Sequence, residues 1–352
     1  MKWMGLGGLA TIGGASVAAK ANASNHYYTG PESDHFDGTL FFNPDGHEPK
    51  GFRDLLRWQF GGGKARWPAE RESPFAAAKP EPRVDGDRLV VTMVGHATLL
   101  VQTAGLNILT DPVWSPRASP VGFAGPKRIT PPGVAFDDLP PIDLVLLSHN
   151  HYDHLDIATL RRLHQAHDPQ IITPLGNDTI VHREIAAMRV AAHDWGETVR
   201  FRDVAVDLEP AHHWSARGAG DRRMALWSAF VVSSQGGKIY VVGDTGFHGG
   251  RNYRAAAEKH GGFRLAILPI GAYEPRWFME HQHQNPREAV EGMRLANAAY
   301  AAGHHWGVFR LTDEPVDEPR DHLQAALEAQ GVGRERFRAM QPGEAWDVPM
   351  AP

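Results

Sequence analysis

Four side chains that can bind a metal lie within six residues of one another, directly after an apolar stretch. The stretch, Leu144 to Leu147, is predicted to be a buried strand, and the four side chains are His149, His151, Asp153 and His154. Alternate residues of a strand face opposite sides, so a strand cannot bring all four to one point, whereas a tight loop leaving the strand can. Imidazole and carboxylate groups suit zinc-like metals. The pattern therefore favours a metal site over a polar turn that happens to contain histidines.

Three further predicted strands also end at a possible ligand. They are Val204–Glu209, followed by His212-His213-Trp214; Lys238–Val242, followed by Gly243-Asp244; and Tyr300–Gly303, followed by His304-His305-Trp306. Each segment taken alone is typical of a packed histidine or of a turn. Four strand ends that all deliver His or Asp indicate one shared edge, where loops leave the strands.

The number of candidate ligands indicates two metals, because a catalytic zinc typically takes three protein ligands and keeps one position open. One metal can be held by His149, His151 and His213, the other by Asp153, His154 and His305, and Asp244 can bridge both. In an extended backbone only one histidine of each pair, 212/213 and 304/305, can face the metals, and the other is expected to be packed or to orient a ligand. Two zinc ions are the expected cofactor, with manganese or iron as alternatives.

Composition sets the broad class of the protein. The chain has 352 residues, of which 42% are hydrophobic and 22% charged, with a formal net charge of −5 and no cysteine. This is an ordinary soluble composition without a basic balance, so nucleic acid is not an expected partner. Disulfides and cysteine-containing zinc sites are excluded. A metal held by His and carboxylate alone favours a catalytic site.

The order of predicted elements indicates two packed sheets with helices on their outer faces. Helices are expected at Phe52–Phe60, Ile157–His167, Asp178–Met188, Asn252–Lys259, Pro286–Ala298 and Arg320–Ala329. Strands beyond those named above are expected at Leu89–Val94, Thr98–Gln102, Leu106–Leu109, Ile142–Ser148, Ile171–Thr173, Thr198–Phe201, Ala225–Ser233 and Leu265–Pro269.

The first 87 residues are predicted to lie outside the main domain, residues 88–352. Residues 1–23 carry a Gly- and Ala-rich uncharged stretch after Lys2 and end in Ala21-Asn22-Ala23, which is similar to a cleavage site. We expect an export signal, with an uncleaved anchor as the alternative, and hence an exported, periplasmic or membrane-associated protein. Residues 24–87 are interpreted as an arm packed on the core, with a lipid-contacting face on its helix as the alternative.

The segments around the ligands resemble those of one family. His149-x-His151-x-Asp153-His154 is similar to the signature motif of the metallo-β-lactamase superfamily, and His213, Asp244 and His305 follow in its expected order. Other segments are similar to its N-acylphosphatidylethanolamine phospholipase D branch, namely Gly95–Thr98, Leu109–Pro112, Ser115–Pro120, Gly125–Arg128 and Pro269–Met279. The resemblance covers roughly Leu89 to Pro319.

This resemblance implies an α/β fold, a four-layer αβ/βα sandwich of two mixed sheets with outer helices, and a two-zinc site. It selects His213 over His212 and His305 over His304, and it places His283 near the substrate. The implied reaction is hydrolysis of a phosphodiester in N-acylphosphatidylethanolamine or a related lipid, which releases an N-acylethanolamine and phosphatidic acid.

The catalytic roles that follow are assigned to three residues. Asp244 would hold both metals and accept a proton from water, Asp153 would fix the second metal, and His283 would stabilise developing negative charge. The triplet Trp277–Met279, expected in a loop, would line an acyl channel or pack in the core. A membrane surface and a homodimer are further candidate partners. The alternatives to a phosphodiesterase are a metal-dependent lactonase and a non-catalytic, membrane-associated metal-binding protein.

Overall fold

Fourteen short strands form two seven-stranded sheets in the computed structural model, which describes residues 24–44, 46 and 48–351. The first sheet contains β1 (Leu89–Gly95), β2 (Thr98–Thr103), β3 (Leu106–Thr110), β4 (Leu144–Leu146), β5 (Gln170–Pro174), β6 (Val190–His193) and β14 (Ala345–Asp347). The second contains β7 (Thr198–Phe201), β8 (Val204–Glu209), β9 (Ala229–Ser234), β10 (Gly237–Val241), β11 (Phe263–Pro269), β12 (Ala298–His304) and β13 (Phe337–Ala339). Their orders are β14-β1-β2-β3-β4-β5-β6 and β13-β12-β11-β10-β9-β8-β7.

Strand direction brings the ligand-bearing loops to one edge. In the first sheet β3, β4, β5 and β6 are parallel. In the second sheet β10, β11, β12 and β13 are parallel, and β8 runs the same way as β10 because both pair antiparallel with β9. The carboxyl ends of β8, β10 and β12 therefore share one edge of the second sheet.

The core has three apolar layers. Leu and Val side chains of the two sheets pack against each other in the middle layer, for example Leu146 against the cluster that contains Ile267. The outer face of the first sheet is covered by α2 (Ile157–Ala166) and α3 (Asn177–Glu184). The outer face of the second is covered by α4 (Arg251–His260), α6 (Pro286–Leu295) and α7 (Glu318–Ala329). The predicted αβ/βα sandwich is confirmed.

The arm, residues 24–87, contains α1 (Phe52–Phe60) and lies against the main domain. The indole of Trp58 donates to Asp313 at 2.9 Å and stacks on Phe278 at 4.9 Å. The opposite side of α1 exposes Phe52, Leu56 and Phe60, the last at 84%. One face of the helix is thus packed and the other is free. The predicted export segment, residues 1–23, lies outside the described residues, and no helix within them is long and apolar enough to cross a membrane.

Several predicted element boundaries are wrong. The helix from Asp178 ends at Glu184 because Ile185 leaves helical geometry, and α6 ends at Leu295 because Asn297 takes a positive φ of 53° before β12 begins. The strand expected from Ala225 begins at Ala229, and that expected at Ile142–Ser148 is only Leu144–Leu146. Trp277–Met279 lie in a short helix, α5 (Arg276–Met279), rather than a loop. The short strands β6, β13 and β14 were not predicted.

Candidate metal centre

All seven predicted ligands come together around one carboxylate. Asp244 follows β10, and its Oδ2 lies 3.2 Å from His154 Nε2, 3.7 Å from His213 Nε2 and 3.9 Å from His149 Nε2. Its Oδ1 lies 3.2 Å from Nε2 of His305, which follows β12. Asp244 is buried. Its two oxygens thus face histidines from three different strand ends.

The ligands divide into two groups of the predicted kind. His149, His151, His213 and Asp244 have ligand atoms within 4.8 Å of one another, and so do Asp153, His154 and His305 together with His96. Asp153 Oδ2 lies 3.3 Å from His305 Nε2 and 3.6 Å from His154 Nε2. The clusters could therefore hold metal ions, and the roles of individual residues as ligands stay predictions.

Hydrogen bonds to Nδ1 orient three of the histidines. His213 Nδ1 donates to the carbonyl of Gln282 at 2.9 Å, and His154 Nδ1 donates to Asp111 at 2.7 Å. His149 Nδ1 is 2.9 Å from the hydroxyl of Ser148. Each contact gives Nδ1 a hydrogen-bond partner and leaves Nε2 on the side of Asp244, where it can bind a metal once it carries no proton.

The two paired histidines, His212 and His304, face away from Asp244. His212 Nδ1 donates to the carbonyl of His281 at 2.7 Å, and its ring stacks on His248. His304 Nε2 donates to the carbonyl of Val242 at 2.9 Å. His213 and His305 thus lie on the Asp244 side, and His305 does so through a positive φ of 67° just past the end of β12 rather than through an extended backbone.

His283 lies between α5 and α6 and reaches the same cluster. Its Nδ1 is 3.9 Å from Asp244 Oδ2, and its ring centroid is 5.2 Å from that of His213. Burial lowers the pKa of His283 to about 3, although Asp244 opposes the shift. A neutral imidazole at this position can donate one hydrogen bond into the cavity beside the cluster.

Burial and charge set the protonation of the ligands. Burial lowers the pKa of His151 and of His213 to about 3, so both are neutral at neutral pH. The pKa of His305 rises to about 9, because burial lowers it but Asp244 and Asp153 more than compensate. The pKa of Asp244 falls well below its usual range, because His305 and His154 outweigh the opposing effect of burial. The pocket therefore favours positive charge beside its two carboxylates.

Unpaired polar atoms fit the site to a cation. His154 Nε2, His305 Nε2 and Asp244 Oδ1 are buried and make no hydrogen bond to any described residue. Leaving a buried polar group without a partner costs about 1–3 kcal/mol. His and carboxylate donors without sulfur suit zinc, manganese or iron. A metal bonded to these atoms would satisfy them.

Two residues beside the ligands were not predicted to have a role. His96, in the turn between β1 and β2, places Nε2 2.9 Å from Asp153 Oδ2. Asp111, directly after β3, accepts hydrogen bonds from His154 Nδ1 and from the Ser148 hydroxyl, both at 2.7 Å. The pattern that revealed Asp244, a carboxylate directly after an apolar strand, also applies to Asp111 and could have revealed it.

The loop that carries four ligands is held by Arg217. Its Nη1 donates to the carbonyls of Asn150 at 2.9 Å and Leu155 at 2.8 Å, and its guanidinium lies over the ring of Tyr152 at 4.0 Å. On the far side of Tyr152 and Arg217 lies an open groove of about 690 Å³ that none of the predicted ligands lines.

A smaller cavity, of about 170 Å³, reaches the predicted metal ligands. One wall carries His151, Asp153, Asp244 and His283. The cavity is also lined by a buried cluster that joins the arm to α5, namely Leu55, Trp58, Phe278 and Met279. The triplet Trp277–Met279 was expected to line a channel or to pack, and Phe278 and Met279 do both.

Comparison with known proteins places this arrangement in one family. A model of the beta-lactamase superfamily domain matches residues 106–306. The N-acyl-phosphatidylethanolamine-hydrolyzing phospholipase D 1 of Caenorhabditis elegans is 40% identical over 272 residues, which is 74% of this chain and 76% of that protein. The mitochondrial N-acyl-phosphatidylethanolamine-hydrolyzing phospholipase D of Saccharomyces cerevisiae is 33% identical over 242 residues, which is 67% of this chain and 51% of that protein.

The fold is also similar to solved structures. An isothiocyanate hydrolase from Delia radicum gut bacteria superposes with a TM-score of 0.59 at 19% identity, over 74% of this chain and 99% of that one. At this identity the likeness concerns the fold alone.

Proposed function

The chain belongs to the metallo-β-lactamase superfamily and, within it, to the branch similar to the N-acylphosphatidylethanolamine phospholipases D, and from this premise we propose that it is a two-zinc phosphodiesterase of the phospholipase D type. The observation that carries the proposal is a cavity that is lined both by the predicted metal ligands and by four apolar side chains, Leu55, Trp58, Phe278 and Met279. Such a cavity suits a substrate that joins a phosphodiester to an apolar chain.

The chain's own residues position the reaction. Two zinc ions held by the two ligand groups would make a nucleophile from water at neutral pH and neutralise charge on the phosphoryl oxygens. Asp244 faces both ligand groups, so its carboxylate can orient the attacking water and accept its proton. His96 holds Asp153 through the 2.9 Å contact and thereby fixes one side of the site.

His283 would donate a hydrogen bond to the substrate. Its Nδ1 makes no hydrogen bond to a described residue, and its backbone is held by Arg276, which donates to the His283 carbonyl at 2.9 Å. A neutral imidazole N–H aimed at the phosphoryl group can donate to oxygen as negative charge develops. Displacement of the alcohol from N-acylphosphatidylethanolamine or a related lipid gives an N-acylethanolamine and phosphatidic acid.

We further propose that the protein meets this lipid at a membrane surface. The exposed side chains Phe52, Leu56 and Phe60 belong to α1, the helix whose other face supplies the apolar wall of the cavity. Phe123, 84% exposed, lies in the loop that also lines the cavity through Ala118 and Pro126. Insertion of these side chains among lipid headgroups would bring the mouth of the cavity to the substrate.

The adjacent histidines 212 and 213 offer a matched test. Purified protein, His213→Gln, His212→Gln and Asp244→Asn would be compared for zinc content and for turnover of N-acylphosphatidylethanolamine vesicles, a simple aryl phosphodiester and an acyl lactone. We expect His213→Gln to lose zinc and activity, Asp244→Asn to lose activity, and His212→Gln to retain both.

The outcome also separates the alternatives. Turnover of the lactone alone would replace the phosphodiesterase by a lactonase. Bound zinc without turnover of any substrate would favour a metal-binding protein. Full activity in Asp244→Asn would refute the role given to this carboxylate.

A further inference from the structure

A positively charged side chain in the wall of the active-site cavity lacks an acidic partner. Arg222 lines the cavity of about 170 Å³ beside Lys50. Among the described residues, no carboxylate forms an ion pair with its guanidinium. The next residue, Arg223, does not line the cavity and pairs with Glu48 at 2.8 Å. The two adjacent arginines therefore differ in two respects: Arg222 faces the cavity and has no carboxylate partner in the described part of the chain, whereas Arg223 does not line the cavity and is paired with Glu48.

Packing fixes Arg222 in place. Its guanidinium lies over the indole of Trp214 at 4.5 Å, and its Nη2 donates to the backbone carbonyl of Lys50 at 2.9 Å. Its Nε is buried and makes no hydrogen bond to a described residue. The same indole also makes an edge contact with the ring of His151, at 4.8 Å between centroids. Trp214 is thus in contact both with the cation and with a predicted metal ligand.

Burial at this position destabilises the charged form of the guanidinium. Burial lowers the pKa of Arg222, and the charge of Arg223 adds to the shift, whereas Glu48 opposes it. A partly buried cation is stabilised by an anion that enters beside it. The phosphodiester under attack must lie at the predicted metal ligands, whereas the contacts of Arg222 are with Trp214 and with the carbonyl of Lys50 rather than with any of those ligands. An anion at Arg222 is therefore a second one.

We propose that Arg222 is a specificity-determining residue that binds a second anionic group, a carboxylate or a phosphoryl group, carried by the substrate. The proposal rests on the phosphodiesterase function and adds to it a preference, among its substrates, for diesters with an additional negative charge near the scissile bond. The cavity volume agrees, because about 170 Å³ lies below the range of about 300–1,000 Å³ that buries a whole drug-sized ligand. It has room for a short charged branch, while long acyl chains must extend beyond it.

Three soluble diesters of glycerol 3-phosphate with N-acylethanolamines would test the inference. Their acyl groups would be succinyl, 3-phosphonopropionyl and 4-methylpentanoyl, in which an isopropyl group replaces the carboxylate of succinyl. Release of glycerol 3-phosphate by the zinc-loaded protein gives KM and kcat, and calorimetry gives the Kd of each diester. The variants are Arg222→Met, with Arg222→Gln as a second choice should it not fold, and Arg223→Met as the matched control.

We expect the wild type to bind the two diesters that carry a second anionic group about tenfold more tightly than the 4-methylpentanoyl diester, the effect of one charge-assisted hydrogen bond. A larger gain for the phosphonate than for succinate would identify a phosphoryl group as the preferred anion, and the reverse would identify a carboxylate. Arg222→Met should reduce the ratio to about one, through KM rather than kcat, and Arg223→Met should retain it.

The inference would be overturned by equal affinity of the wild type for the diesters with and without the second anionic group, or by an unchanged ratio in Arg222→Met. Absence of glycerol 3-phosphate release from every diester would instead refute the phosphodiesterase function. In that case the calorimetric Kd values still decide whether Arg222 selects anions.

Discussion

Replacing Asp111 by asparagine tests whether His154 is held in its ligand form by a neighbouring carboxylate. Asp111 is 3% exposed, and its Oδ2 accepts from His154 Nδ1 and from the Ser148 hydroxyl, both at 2.7 Å. Its Oδ1 accepts from the Ser148 backbone N–H at 2.7 Å. The residue has a positive φ of 35°, a region that asparagine adopts as readily as aspartate. The substitution therefore changes the hydrogen bonding without straining the backbone.

The expected effect follows from the proton on His154. Asparagine can still accept from the Ser148 backbone N–H, but its amide nitrogen donates towards His154 Nδ1. His154 then takes the tautomer with its proton on Nε2, the atom 3.2 Å from Asp244. That nitrogen can no longer bind a metal. Loss of such an outer partner typically weakens metal binding about 10- to 100-fold, or about 1.4–2.8 kcal/mol.

Zinc affinity would be measured by calorimetry of metal-free protein against a competing chelator. Asp143→Asn is the matched control, since Asp143 is also buried and charge-paired but its partners are Arg83 and Arg202 rather than a histidine. We expect one of the two zinc sites to weaken in Asp111→Asn and neither to weaken in Asp143→Asn. Thermal unfolding of both variants separates metal affinity from general stability.

An Asp111→Asn variant that bound both zinc ions as tightly as the wild type would refute this account. Equal losses in the two variants would also contradict it, because the effect would then reflect general destabilisation.

Three other predictions concern stability. Trp58→Ala should lower the free energy of unfolding, measured in urea, by about 3–5 kcal/mol, because Trp58 is only 4% exposed. Phe60→Ala, at an 84% exposed position, should change it by less than about 0.5 kcal/mol. Similar values for the two variants would contradict the packing described for α1. Burial opposes but Asp194 and Asp34 raise the pKa of His35, so its charged form stabilises the fold below pH 6.5 and this contribution disappears as the pH rises through the raised pKa. The Tm difference between the wild type and His35→Gln should therefore be larger at pH 6 than at pH 9, and a difference that grows with pH would count against it. Removal of metal with a chelator should lower the Tm and zinc should restore it, because a metal that binds the folded state stabilises it; an unchanged Tm would argue against a resident metal.

Much of the architecture could be predicted because its strands are continuous apolar runs. A run such as Leu265–Pro269 is buried on both faces and stands out against its flanking polar residues. Short or partly exposed strands carry no comparable pattern. Each residue of β6 is half-buried, and β14 has three residues of which only Trp346 is buried. Helix ends were missed for a related reason, since a single residue such as Asn297 decides them through its backbone conformation.

The sequence by itself determined which residues are candidates for a metal site, because ligand types and their positions after apolar strands can be read from the chain. His149, Asp244 and His305 needed no coordinates to be chosen as candidates. The family resemblance selected His213 and His305 over their neighbours, and the tertiary structure alone decided which atoms the candidates direct at one another and which carbonyls hold His212 and His304. It also decided the surroundings, where Asp111 holds His154 and α1 supplies a wall of the cavity. These contacts join residues far apart in the chain, so they depend on how sheets and arm pack rather than on any local pattern.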